Sequence, residues 1–325
     1  GKKISKEIKE RYGIIYNAGK SIDTSSLFFF AGLSCLSQNG KLGFLLPEAF
    51  FNISTFQEAR NAAMNLTVER LIDYGKSFKG LVTKAQAIIL SNRKNETDEY
   101  LIKCESSNTT HFRSIKSFLS TPKSIFNFLL DGKSAEIIAH VFNLSHITLK
   151  DNAEWGLGIV TGNNEKFCTE TIRAGYTPVF KGSDITAHSL KEPSTFIPDN
   201  QNLYQQVAPK SLYEAPEKLI YKFISSKLCF YFDTEKRYIL NSANMLILKK
   251  SFPLTGQQLA ALLNSEFINW FFQKIFNTHK ILRGDLEVIP IHADYFMTHQ
   301  EFEESSYLNF LHIEKTQNGT YRIKE

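Results

Sequence analysis

No apolar run in this sequence reaches the roughly 18 residues that a membrane-crossing helix needs. Leu27–Leu36 is too short and is flanked by polar residues. The N-terminal Gly1-Lys-Lys-Ile-Ser-Lys-Glu-Ile-Lys-Glu has charges but no apolar stretch behind them, so it is no secretory signal. The four cysteines (Cys35, Cys104, Cys168, Cys229) are scattered without a C-x-x-C pair. That spacing excludes a disulfide framework and a zinc ribbon, and it suits reduced thiols in a cytoplasmic protein. The eight histidines, His279 and His292 among them, show no metal-ligand spacing, so no metal is expected. Internal repeats and low-complexity tracts are absent. There is no Pro-Pro pair, and the one G-x-G, Gly156–Gly158, lacks the strand-then-helix setting that would make it a phosphate loop.

What is present is an ordinary globular composition. The 325 residues are 42% hydrophobic and 22% charged, enough for one large or two medium domains with a full core. A net charge of +5 permits nucleic-acid binding without demanding it. The aromatic load, 27 Phe and 13 Tyr, must mostly pack the core, with any base-stacking ring hidden among the rest.

The chain is organised around Gly40–Leu90. Leu42–Leu46 and Ala85–Leu90 have the length and unbroken hydrophobicity of strands buried on both faces. Between them lie a helical stretch, Ser54–Asn65, with Gln57 at a capping-box position, and a third strand, Val68–Asp73. Ahead of this block, Asp23-Thr-Ser-Ser has N-cap chemistry before the helix Leu27–Ser37. After it, Asn92–Glu99 reads as a polar hairpin turn leading to an added edge strand, Tyr100–Cys104. A composition change over 106–135 divides the chain into domains of residues 1–115 and 116–325. Helices are expected near Ile125–Leu130 and at Ser134–Phe142. Beyond them come strands Gly156–Val160, Tyr176–Phe180, Leu228–Phe232, Tyr238–Leu248 and Leu286–Ile291. Two helices interrupt the strands: Ala215–Ser226, with Pro216 in its first turn, and a long amphipathic one from a Thr cap, Thr255–Ile275.

Leu36–Gly40, Gly43-Phe44-Leu45-Leu46-Pro47, and Phe78 ahead of Ala85–Leu90 carry a resemblance by their order and spacing. This stretch resembles the second half of the catalytic domain of TaqI-like, gamma-class N6-adenine DNA methyltransferases of restriction–modification systems. Gly158-Ile-Val-Thr-Gly-Asn-Asn-Glu-Lys-Phe, Pro178-Val-Phe-Lys-Gly-Ser-Asp-Ile and Tyr238-Ile-Leu-Asn-Ser-Ala-Asn, with a later Leu-Leu-Asn-Ser helix, resemble the target-recognition domains of the same family. The implied fold class is α/β: the C-terminal half of a Rossmann-like methyltransferase sheet, joined to an α+β target-recognition domain. The implied reaction is methyl transfer from S-adenosylmethionine to N6 of an adenine in duplex DNA.

The resemblance also assigns residues. An enzyme that modifies an exocyclic base nitrogen must take the base out of the stack. By similarity Phe78, in the loop Gly75-Lys-Ser-Phe-Lys-Gly, stacks on the flipped adenine, and Phe28 borders the adenine of S-adenosylmethionine. Each ring has the alternative of packing into the core. Lys76, Lys79 and Lys84 would meet phosphates near the flipped nucleotide, or line a solvated loop. Thr161, Asn163, Asn164 and Lys166 suit base edges and phosphates; a plain Gly-Asn-Asn turn is the alternative. Lys181 joins them, or only orients its loop with Asp184. Lys280 and Arg283 follow the long helix, where the helix dipole favours cations in any case. Glu48, at the strand end, suits a loop role better than a catalytic one.

The family also needs an Asp/Asn-Pro-Pro-aromatic tetrapeptide and a Gly-rich cofactor loop, and neither is in this sequence. The expectation is therefore a portion of a methyltransferase that follows the Pro-Pro motif and is inactive alone. Its partners would be double-stranded DNA and the other methyltransferase half, in cis or as a separate chain, with a restriction endonuclease as a further candidate. The rival reading is a non-enzymatic specificity subunit that docks on a separate methylase.

Overall fold

The computed structural model describes residues 4–78, 83–93, 99–119 and 121–324. The chain packs as two compact units. The first is residues 1–143 with 274–276 and 315–325; the second is 144–273 with 277–314. Both mix helices and sheets.

In the first unit, Ser5 caps α1 (Lys6–Ile15), and Asp23 Oδ1 accepts from the Ser25 amide to cap α2 (Thr24–Ser34). The chain continues through β1 (Lys41–Pro47), α3 (Ala49–Asn52), α4 (Gln57–Met64), β2 (Thr67–Gly75), β3 (Ala85–Ser91), β4 (Leu101–Glu105), β5 (Thr110–Ser114), α5 (Lys116–Leu119) and α6 (Gly132–Asn143). The five strands form one sheet in the order β1-β3-β2-β4-β5. β3 is antiparallel to both neighbours, so β1 and β2 run parallel, and β2 is also parallel to β4.

Three expectations need correcting here. β3 is buried almost throughout, but β1 is not buried on both faces: it is an edge strand, and Leu45 is 49% exposed. Tyr100–Cys104 is no edge strand, because β4 lies between β2 and β5. Nor does a hairpin join β3 to β4, since β4 pairs with β2 in parallel; residues 94–98 of that turn lie outside the described residues. No helix forms at Ile125–Leu130 either. Lys123 and Ser124 take φ of 60° and 54°, in the left-handed region, and the chain turns inward.

That inward turn fills the core. Phe29, Phe50, Phe51, Phe118, Phe126 and Phe128 are all buried, and the Phe29 and Phe50 centroids lie 5.1 Å apart, edge to face. Arg60 is buried with them. Its guanidinium donates to the carbonyls of Phe50, Ile53, Lys123 and Ser124, tying α4 to two loops.

The second unit has two sheets. One is β10-β9-β12-β6, formed by Phe230–Asp233, Lys218–Lys222, Ala243–Leu248 and Ala153–Leu157, all antiparallel. The other is β11-β7-β8, from Tyr238–Ile239, Tyr176–Phe180 and Thr195–Pro198. The expected helix Ala215–Ser226 is instead β9. A short apolar run is ambiguous by periodicity alone, and Lys218–Tyr221 is buried on every side, between two strands. The expected long helix is two, α9 (Gly256–Asn264) and α10 (Glu266–Phe276). Thr255 caps the first with a capping box through Gln258, as its residues require. Ser265 then breaks the run at ψ 154° and caps the second. Leu286–Ile291 is not a strand: a helical turn spans Arg283–Leu286, and only an isolated bridge joins Ile291 to Ile147.

Candidate nucleic-acid interface

Phe78 stands in the loop that leaves β2. Gly75, at φ 57°, adopts a turn that favours glycine, and its amide is held by Asp73 Oδ1 at 3.2 Å. Ser77 donates its hydroxyl to the Tyr74 carbonyl, tightening the exit. The Phe78 ring is 41% exposed and meets Tyr74 edge to face, with centroids 6.1 Å apart. It is not folded into the core. Lys84, at the loop's return, lies 3.7 Å from Glu48, so its charge is shared with that carboxylate. Lys79 lies outside the described residues. In the same unit Phe28 is 63% exposed on α2, while its neighbours Phe29 and Phe30 are buried. Of the three rings, Phe28 is the one that faces outward.

The motifs of the second unit converge on one loop. Residues 239–243 bind the Gly158 and Pro178 motifs through backbone: Ile159 donates to Ile239 O, Asn241 to Ile159 O, Leu240 to Phe180 O and Gly158 to Ala243 O. Ser242 Oγ accepts from the Gly182 amide at 2.9 Å. Gly158 packs so tightly that a Cβ would sit 2.2 Å from Leu240 O, and Gly156 likewise abuts the Met245 side chain. The G-x-G is therefore a packing device. Gly158→Ala should destabilise the protein by about 1–3 kcal/mol, because two backbone oxygens must move; thermal unfolding measures it, and an unchanged Tm would show that the loop yields.

Around this knot stand the predicted contact residues. Thr161 is buried and donates to Asn164 Oδ1 at 2.5 Å. Asn163 Oδ1 accepts from the Lys166 amide, capping the short helix α7 (Asn164–Phe167). These hydroxyl and amide groups shape the turn. Lys166 is exposed, with its ammonium 5.0 Å from the centroid of the Phe167 ring. Lys181 is near enough to Cys168 to oppose the burial that pushes that thiol's pKa up. Thr161–Lys166 and Lys181 thus share one neighbourhood. Lys280 and Arg283 form another: Lys280 is exposed, while Arg283 donates to Glu287 Oε1 at 2.7 Å and lies over Trp155. Asn264, from the Leu-Leu-Asn-Ser motif, clamps the main chain of Phe230 from both sides, accepting from its amide and donating to its carbonyl.

A family model described as the TaqI-like C-terminal specificity domain matches residues 177–291, which include the 239–243 loop and its partner β7. The chain carries a TaqI-like C-terminal specificity domain. A curated relative, the Type II methyltransferase M.VspI of Vibrio sp. (strain 343), is 47% identical over 186 residues, covering 57% of this chain. The match spans 45% of that relative's length, less than half of it. Among solved structures, the Type IIL restriction-modification enzyme MmeI in complex with DNA aligns with a TM-score of 0.54 over 87% of this chain and 44% of its own. At 9% identity that likeness is one of fold.

The specificity domain also holds a charge network that the sequence reading missed. Lys218 and Asp233 are fully buried, with Nζ 2.6 Å from Oδ2. Lys218 also donates to Tyr213 O at 2.7 Å, and Arg237 donates to Asp233 Oδ1 at 2.8 Å. Nothing in a lone lysine and an aspartate 15 positions on marks such a pair before β9 and β10 are known to be neighbours. Among the described residues, no group of three or more potential metal ligands occurs, and no helix is long and apolar enough to cross a membrane.

Proposed function

We propose that this chain is the DNA-reading and base-holding part of a site-specific DNA methyltransferase of a restriction–modification system, acting at N6 of adenine. The observation that carries the reading is the coexistence, in one chain, of a specificity domain and a separate sheet unit whose exit loop offers an exposed aromatic ring. The Vibrio relative, a methyltransferase by name, supports the reaction class.

In this reading Phe78 receives the extruded adenine on its face, with Tyr74 bracing the ring from its edge. Lys76, Lys79 and Lys84 meet nearby phosphates, with Glu48 orienting Lys84. The Thr161–Lys166 turn with Lys181 contacts DNA through Lys166 and the outward atoms of Asn163 and Asn164. Lys280 and Arg283 make a second set of contacts. S-adenosylmethionine supplies the electrophilic methyl group. The residues here fit one flank of that cofactor: Phe28 presents an exposed ring able to border its adenine. The Gly-rich loop and the Pro-Pro-aromatic acceptors belong to another half, in cis or as a separate chain.

Two features of the first unit suit that half. Among the described residues β1 has a partner strand on one side only, and α1 exposes Ile8, Tyr12 and Ile15 along one helical face. The test pairs the chain with a cofactor-binding half and incubates both with duplex DNA and labelled S-adenosylmethionine. The expected product is N6-methyladenine by mass spectrometry, with neither half active alone. Methyl groups found on cytosine, RNA or protein would overturn the reading.

A further inference from the structure

β9 does not end its pairing at Lys222. Past that residue the chain bends at Phe223, and a single bridge then joins it to the segment that follows α10. Ile224 and Lys280 face each other in an antiparallel bridge, closed by Ser225 N–H to His279 O at 2.9 Å and Ile281 N–H to Phe223 O at 2.8 Å. This pattern makes 224 and 280 a non-hydrogen-bonded pair, the kind whose side chains stand closest on one face. Lys222, two positions earlier, is the half-buried last residue of β9. Gln273 Nε2 donates to both Ser226 O and Thr278 O, clamping the two segments together at the far end. The result is a short two-stranded ribbon held by one bridge and bent at Phe223 and His279. Ile224 at its centre is 64% exposed, and no ion pair of the described residues takes Lys222, Lys227 or Lys280.

An exposed β-branched side chain opposite Lys280 and two residues from Lys222 gains nothing in the free protein. A two-stranded ribbon fits the DNA major groove, where the thymine 5-methyl group is the apolar feature to be read. We propose that the 222–226/278–282 ribbon enters the major groove, with Lys222 and Lys280 on phosphates and Ile224 against a thymine methyl. The inference rests on the DNA-reading function proposed above and names the element and the specificity residue.

The test selects duplexes from a random 25-base-pair pool with the full chain and measures binding across a salt series. For the selected duplex, the double variant K222A/K280A should lower the log–log salt slope by about 1.8, from about 0.9 per lost phosphate contact. Deoxyuridine is then substituted for each thymine in turn. The wild-type chain should lose about fourfold in affinity at one position, the worth of one buried methyl group, and I224A should be indifferent there. Circular dichroism confirms that the surface variants fold. If the wild-type chain retains no duplex, the function itself fails. If it retains duplex but K222A/K280A keeps the full slope, the ribbon alone is wrong. If I224A keeps the sensitivity to deoxyuridine, the thymine assignment is wrong.

Discussion

In the completed enzyme, Phe78→Ala is expected to lower turnover by about 10- to 100-fold while DNA affinity changes far less. Stacking of a base on an aromatic ring is worth about 1–3 kcal/mol, and that energy is engaged only once the adenine has left the helix. The ring's position favours such a role. It sits 41% exposed at the end of β2, beyond a glycine turn and a serine-to-carbonyl hydrogen bond that fix where the loop departs. Tyr74, itself 43% exposed, packs against it with the two ring planes 72° apart. Phe78→Trp should keep most of the activity, because any flat π-face serves. Single-turnover methylation gives the rate, and 2-aminopurine at the target position reports how far the base is held out of the stack. Equal loss of turnover and binding, or no loss at all, would remove Phe78 from this role.

Asp233→Ala is expected to cost about 3–5 kcal/mol, the largest stability effect of any single change in the specificity domain. It would leave the fully buried Lys218 ammonium with one carbonyl as its partner. The charge pair matters to the reading surface because Asp233 also anchors the Arg237 guanidinium and main chain, directly before the 238–243 loop that ties the domain's motifs together. Burial alone would raise the Asp233 pKa, but hydrogen bonds from Lys218 and Arg237 outweigh it and hold the carboxyl below its usual range. A carboxyl whose pKa is lowered by folding stabilises fully above its unfolded value, near 3.9, and loses that contribution as pH falls through the folded value. The wild-type protein should therefore lose this contribution below about pH 4, and Asp233→Ala should flatten that part of the curve. Lys218→Met combined with Asp233→Leu should recover much of the loss, since Arg237 is partly exposed and can turn to water. Urea unfolding at a series of pH values decides both points. A single variant as stable as the parent would show that the pair is dispensable.

Much of the scaffold was legible along the chain. β7 lies at the anticipated Tyr176–Phe180, β3 and α6 within a residue or two of expectation, and the Thr255 cap opens a helix where its residues place one. The order of the motifs along the chain points to a specificity domain. These are matters of neighbours in sequence: a cap, a turn, a run of apolar residues, an ordered set of motifs.

Other features belong to the tertiary structure. Lys218–Lys222 carries no local mark separating strand from helix, and its identity follows from burial between β10 and β12. Thr161 and Asn163 have the chemistry of base readers, yet their oxygens shape the turn they sit in. Ile224 and Lys280 are far apart in sequence and face each other only because one bridge joins their two segments. By itself the sequence determined the local elements and the kind of domain they build, because hydrogen bonds and hydrophobic period act over a few residues. Which polar groups remain available to a ligand, and which are consumed within the protein, was decided by long-range packing, where each group's partner comes from a distant part of the chain.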